Sequence, residues 1–237
     1  MEIIAHRGYS AKYPELTEVA FDRALEMPIH GVECDVRLSR DGEMVVVHDP
    51  IIDRVADGRG RVSRMTLDAL REFNFGTEEM PQSVLTLHEL LEMIRPTDKH
   101  LYIETKHPSR YGPMVEEQVV RVLQHAGMLD DERIHLITFS AAAVVRMKRL
   151  APQVDRFHLR RKYERWANPI DAHPGQPTGL GLSLWRAKRR PDLIGKHGLP
   201  TYMWTVNEPE DMLWARDNGV DLMATDEVSL ALEVLGR

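Results

Sequence analysis

The chain has 237 residues, 43% of them apolar and 29% charged, with a formal net charge of −6. That length lets a globular chain bury roughly 70–75% of the surface it exposes when unfolded, while the acidic balance argues against nucleic acid, whose phosphates need a basic footprint. The single cysteine, Cys34, excludes an internal disulfide and suits a small apolar filler in a strand; no apolar run reaches the roughly 18 residues of a transmembrane segment.

MEIIAHRG lacks the basic and long apolar regions of a signal peptide, so a cytoplasmic setting is expected. Residues 2–6 form a short strand stopped at Arg7–Gly8. A helix is predicted over 16–26, with Val19, Ala20 and Ala24 inward and Phe21 and Leu25 beside them. In GVECDVRLSRDGEMVVVHD, Val32, Cys34 and Val36 alternate with Glu33, Asp35 and Arg37 as one strand, and 43–48 forms another after the Asp41–Gly42 turn. Residues 53–64 are a polar loop. Thr66 and Thr86 are N-cap candidates for helices 67–73 and 87–94.

Strands at 100–105, 134–139, 156–159, 180–184, 200–206 and 220–225 then alternate with helices at 114–126, 141–150, 209–218 and 226–235. The charged, Pro- and Gly-containing stretch 160–178 carries no clear pattern. Repeated strand–helix alternation implies a parallel sheet. With no linker in 1–237, it favours a single-domain (β/α)8 TIM barrel, a doubly wound sheet being the alternative. Nine strand candidates compete for eight places. The link between 31–36 and 43–48 is too short for a helical crossover, so that second/third strand unit is irregular and one of its strands is expected to be an extra.

Active sites of such barrels lie at the C-terminal strand ends, and the polar residues gather there. They are His6 and Arg7, then Glu33 and Asp35 (same face, about 7 Å apart along the strand), His48 and Asp49, Glu104 and Lys106, and Trp204 and Asn207. Taken singly, each has a bland explanation: a solvated histidine, a surface ion pair, a core tryptophan. Together, several elements deliver polar groups to one rim. Three carboxylates on neighbouring strands suit a hard divalent cation, Mg²⁺ or Ca²⁺, and no Cys/His set at zinc spacing competes. Two histidines can serve as acid and base, and Arg7 and Lys106 can meet an anion. The set suits phosphoryl transfer. Lys106 is expected to face a bound anion, not to form a structural ion pair with Glu104.

The ordered segments AHRG (5–8), PELT with AF (14–21), VECDVRLSRDG (32–42), VVVHD (45–49), YIETK (102–106), WTVN (204–207) and GVDLMATD (219–226) resemble the glycerophosphodiester phosphodiesterase family over essentially the whole chain. The resemblance implies metal-dependent hydrolysis of a small glycerophosphodiester to glycerol phosphate and an alcohol, by direct water attack or through a cyclic phosphate. It implies metal ligation by Glu33, Asp35 and Glu104, His6 and His48 as the acid/base pair, Arg7 and Lys106 on the phosphate, and Trp204 walling the pocket. Two departures stand out. Leu16 occupies a position where the family usually has Asn, and is expected to turn inward as the first apolar residue of helix 16–26. The loop 53–64 is expected to be too short for the small domain that longer members insert. A lysophospholipase D or sphingomyelinase D-like enzyme is the nearest rival, needing an apolar groove that 160–178 could supply. A non-catalytic binding barrel is the rival from another class. Oligomeric state, metal identity and head group are open.

Overall fold

The computed structural model describes residues 1–160 and 174–237. Nine strands carry the sheet: β1 Glu2–His6, β2 Gly31–Leu38, β3 Met44–Val46, β4 His100–Thr105, β5 Ile134–Thr138, β6 Asp155–Arg160, β7 Gly179–Ser183, β8 Thr201–Trp204 and β9 Leu222–Thr225. Eight are parallel neighbours, in the order β1-β9-β8-β7-β6-β5-β4-β2, and β1 pairs with β2 to close the ring. The expected (β/α)8 TIM barrel is thereby met. The extra strand is β3, which pairs antiparallel with β2 through Val36–Val46 and Leu38–Met44. The hairpin at Asp41–Gly42 leaves no length for a crossover, so β3 hangs on the outside of the ring.

The helices are α1 Glu18–Leu25, α2 Leu67–Arg71, α3 Leu87–Ile94, α4 Met114–His125, α5 Ala141–Leu150, α6 Leu184–Arg189, α7 Pro209–Asp217 and α8 Val228–Leu235. Thr66 and Thr86 cap α2 and α3 as expected, the latter in a full capping box with Glu89. Two expectations need correction. Helix α1 starts at Glu18, not at Leu16, because Thr17 is its N-cap, accepting from Ala20 N. Leu16 is buried, but in a left-handed turn outside the helix, at φ 60°. The segment after β3 is also more than a polar loop. Val47, Ile52, Val62, Leu70, Phe75 and Val84 close on Val45 as a small apolar cluster, so residues 47–85 form a compact lobe on the barrel mouth. Its apolar residues are too scattered for a periodic signal.

Alternation along the strands divides the core in two. Outward-facing Ile3, Val32, Cys34, Val36, Leu101 and Ile103 meet the helices. Inward-facing Ile4, Tyr102, Ile137, Phe157, Leu159, Tyr202, Leu222 and Ala224 fill the lumen. The side chains of Tyr102, Phe157 and Tyr202 plug it with ring centroids 5.6–6.3 Å apart. This apolar floor keeps water from entering the mouth's polar cluster from below.

A candidate active site at the C-terminal mouth

Strand register assembles the site. β1 lies against β2 with His6 opposite Glu33, β2 lies against β4 with Asp35 opposite Glu104, and β1 lies against β9 with Ala5 opposite Thr225. Glu33, Asp35 and Glu104 therefore converge. One oxygen from each lies within 4.8 Å of the others, and all three residues are buried. Lys106, one residue beyond β4, folds back over them, its Nζ 2.7 Å from Asp35 Oδ1 and 2.6 Å from Glu104 Oε1. Lys106 does face inward, but the expectation that it would leave Glu104 unpaired is not met.

Arg7 approaches from the other side. Its Nε is 3.1 Å from Asp35 Oδ2, off-axis for a hydrogen bond, so both buried atoms lack one; its Nη1 donates to Glu15 Oε1 at 3.0 Å. The approach depends on backbone shape. Arg7 and Gly8 both adopt left-handed conformations, φ 61° and 76°, and a Cβ on Gly8 would sit 2.8 Å from the Ala20 backbone. Only glycine lets the chain turn back that tightly onto α1.

The carboxylates pull in different directions. Burial, then the charges of Asp35 and Glu104, push Glu33 well above the usual carboxylate range. Burial also raises Glu104, to about 7, with Lys106 opposing and Asp35 adding to the rise. Burial alone would raise Asp35 too, but Lys106, Arg7 and His48 outweigh it and hold that carboxyl low. Fully ionised, three crowded carboxylates would outnumber the two cations beside them, and burial together with that crowding raises Glu33 and Glu104. The donor set is all oxygen, and Asp35 Oδ2 has no hydrogen bond, so the residues fit a hard divalent cation.

The two histidines border this cluster. His6 Nε2 lies 3.9 Å from Glu33 Oε2, and His48, two residues past β3, is near enough to Asp35 to feel its charge. Each has a carboxylate on Nδ1, Asp226 for His6 at 2.7 Å and Asp49 for His48 at 2.8 Å. With the Nδ1 proton held there, each Nε2 can exchange a proton. Asp49 is fixed in turn by Arg54 Nε at 2.6 Å, and Arg54 also grips Glu15. Asp226 receives Asn207 Nδ2 and Ser10 Oγ. Burial would raise the Asp226 carboxyl, but the bonds from His6, Asn207 and Ser10 bring it down to about 2.

Asp226, Ser10, Glu15, Arg54 and Arg37 were absent from the sequence-derived site set, and Asn207 was placed at the rim without a role. Asp226 had the same signal as Asp49, a carboxylate just past an apolar strand at the mouth, whereas Ser10, Glu15 and Arg54 lie in loops with no periodic cue. Trp204 ends β8 half-buried, edge-on to Phe139 at 5.3 Å. A groove of about 320 Å³ opens beside His6, Arg7, Asn207 and Asp226. A larger one of about 770 Å³, sharing Ser10 and Glu15, runs between the first loop and the small lobe.

The profile of the glycerophosphoryl diester phosphodiesterase family matches residues 6–230. The chain belongs to that family. It is 38% identical to "Probable glycerophosphodiester phosphodiesterase 1" of Mycobacterium tuberculosis, over 94% of this chain and 88% of the relative. It is 30% identical to a glycerophosphodiester phosphodiesterase of Caldanaerobacter subterraneus subsp. tengcongensis, over 99% and 98% of the two chains. Among solved structures, a phosphodiesterase of Oleispira antarctica in complex with the product sn-glycerol-3-phosphate superposes with a TM-score of 0.91 at 25% identity, covering 100% of this chain and 97% of that one. The resemblance drawn from the ordered segments is borne out, and with it the assignment as an enzyme of the phosphoric diester hydrolase class.

Proposed function

We propose that residues 1–237 act as one catalytic unit that hydrolyses glycerophosphodiesters to glycerol phosphate and an alcohol, with a divalent cation held by Glu33, Asp35 and Glu104. The observation that carries this is the pairing of two carboxylate-anchored histidines with a buried all-oxygen cluster. The cation, Mg²⁺ or Ca²⁺ alike, would offset the clustered charge and draw electrons from the phosphate. His6 and His48 supply the proton transfers: one takes the proton of the attacking hydroxyl, and the other gives a proton to the departing alkoxide. Arg7 and Lys106 hold the phosphate oxygens. For Lys106 this means exchanging a carboxylate contact for a phosphate one when substrate arrives, a small movement for a flexible ammonium. Trp204 walls the pocket. Whether the attacking hydroxyl is water or the substrate's own glycerol hydroxyl is a separate question, answered by trapping a cyclic phosphate.

The polar lining of the groove beside His6, with Arg7, Ser10, Glu15, Asn207 and Asp226, favours a compact diester over a lysolipid. The apolar run considered for a lipid chain at 160–178 falls mostly on residues 161–173, outside those described. Among the described residues no helix is long and apolar enough to cross a membrane, and a cytoplasmic setting is part of the same proposal. The test is a panel of glycerophosphodiesters and lysolipids incubated with Mg²⁺, Ca²⁺ or EDTA, with the freed head-group alcohol as the readout. Release from small diesters supports the reading. Release from lysolipids alone favours the lysophospholipase D-like alternative, and no release at all favours a binding barrel.

A further inference from the structure

Lys106 also borders a small pocket of about 60 Å³ that includes neither histidine, the volume of about two liquid waters. Three arginines line it from three different elements. Arg37 shares the inward face of β2 with Glu33 and Asp35, four and two residues back. Arg61 comes from the small lobe, where its backbone bridges to Ile51. Arg110 follows Lys106 in the loop after β4. No Asp or Glu lines the pocket.

These arginines differ from their neighbours at the mouth. Arg7 and Arg54 are each ion-paired to carboxylates. Among the described residues, Arg37, Arg61 and Arg110 have no carboxylate within ion-pair distance. Arg37 Nε donates to the His48 carbonyl at 2.7 Å, and Arg110 meets the Ser63 carbonyl at 3.5 Å and the Tyr111 ring at 5.9 Å. Three guanidinium groups around a small hollow repel one another unless an anion joins them. Each presents a fork of donors that matches a phosphate.

We propose that this pocket is a subsite for a second phosphate on the substrate, a phosphate monoester carried by the leaving alcohol. The inference rests on the hydrolase reading above and narrows it. The diester phosphate sits at Lys106 and Arg7, the second phosphate on Arg37, Arg61 and Arg110, and diesters bearing a phosphate monoester are preferred to choline-type ones. The pocket's size suits one compact anionic group and not an acyl chain.

The test compares kcat/KM on glycerophosphoinositol 4-phosphate and on glycerophosphocholine. Wild-type enzyme should favour the former. In the double variant Arg61→Gln/Arg110→Gln, both sites being exposed, the ratio should fall about tenfold or more, since each position removes a charge-assisted bond. Raising the salt should shrink the wild-type ratio towards that of the variant. An unchanged ratio in the double variant overturns the subsite. If wild-type enzyme hydrolyses neither compound, the hydrolase reading is what has failed. The subsite is then decided by calorimetric titration of glycerophosphoinositol 4-phosphate in EDTA: tighter binding by wild type than by the double variant supports it, and equal binding overturns it.

Discussion

At the N-terminal end of the barrel, His30, His100 and His135 stack in a row. Their ring centroids are 3.9 Å and 5.1 Å apart, His100 Nδ1 is hydrogen-bonded to His135 Nε2 at 2.8 Å, and Tyr102 lies 4.4 Å beyond. At the C-terminal end the same neighbouring strands crowd Glu33, Asp35 and Glu104 together. Both ends place ionisable groups side by side, but they resolve the conflict differently. Burial, and then the neighbouring His30 and His135, push His100 down to about 4, and burial lowers His30 as well. Near neutral pH these two are uncharged and stack, so the lower end carries no crowded charge, although the buried His135 Nδ1, 3.4 Å from Asp155 Oδ2, makes no hydrogen bond. The carboxylates cannot all shed their charge, because Lys106 and Arg7 hold Asp35 ionised. A cluster that can shed its charge serves stability, and one that must keep charge serves a ligand.

That contrast breaks down if the upper cluster proves structural. Glu33→Gln should cost 10³-fold or more in turnover, the scale of losing metal-ion catalysis, without lowering the melting temperature. The sign follows from its raised carboxyl. Wild type in EDTA loses stability as pH climbs from the ordinary 4.5 towards the raised value, so the variant should gain on it over that range. A melting temperature that drops in the variant at neutral pH would show that Glu33 supports the fold. His6→Ala and His48→Ala should each lower kcat on a diester by about 10²–10⁴-fold, and near-normal turnover in either removes that histidine from the mechanism.

Asp226→Asn sharpens the picture of how His6 is held. We expect kcat to fall about 10²-fold with KM little changed, as when an imidazole loses the carboxylate that fixes its tautomer. Its carboxyl is depressed to about 2 from 3.8. The stability it contributes, about 1–2 kcal/mol after discounting its partial exposure, is full above pH 3.8 and fades as pH falls through 2. Unfolding curves of the two proteins should converge in that window. At the other end of the barrel, His135→Ala should cost about 2 kcal/mol of stability through lost packing and leave kcat/KM within about twofold; a large loss of activity would mean that the two ends are coupled.

Leu16→Asn should give the smallest effect. Leucine gains about 1.5–3 kcal/mol from burial, but its left-handed backbone costs about 1–2 kcal/mol, a conformation asparagine tolerates. The two nearly offset, so thermal stability should shift little while activity on glycerophosphocholine holds or rises. Collapse of activity at unchanged stability would place Leu16 in the substrate pocket.

The sequence showed the barrel clearly because parallel strands buried on both faces and amphipathic helices have periods that survive in one dimension. The Asp41–Gly42 turn even marked one of the two strands it joins as an extra, which the structure identifies as β3. The metal-ligand candidates were legible for the same reason, since alternation puts Glu33 and Asp35 on one face and register brings Glu104 beside them. What alternation cannot express went unseen. The Asp226–His6 bond joins residues 220 positions apart. The left-handed turn at Leu16 is a backbone property with no side-chain period. The small lobe at 47–85 is built from apolar residues spaced by turns, and Arg37 looked like an ordinary polar strand residue until Arg61 and Arg110 stood beside it.

The central claim, that the buried carboxylates hold the cation on which hydrolysis depends, is tested most directly by stripping and restoring the metal. Protein dialysed against EDTA should release no glycerol phosphate from glycerophosphocholine. Mg²⁺ or Ca²⁺ should restore release in the wild type and leave Asp35→Asn inactive, with both proteins showing the same far-ultraviolet circular dichroism. Full activity of the wild type in excess EDTA would contradict the account.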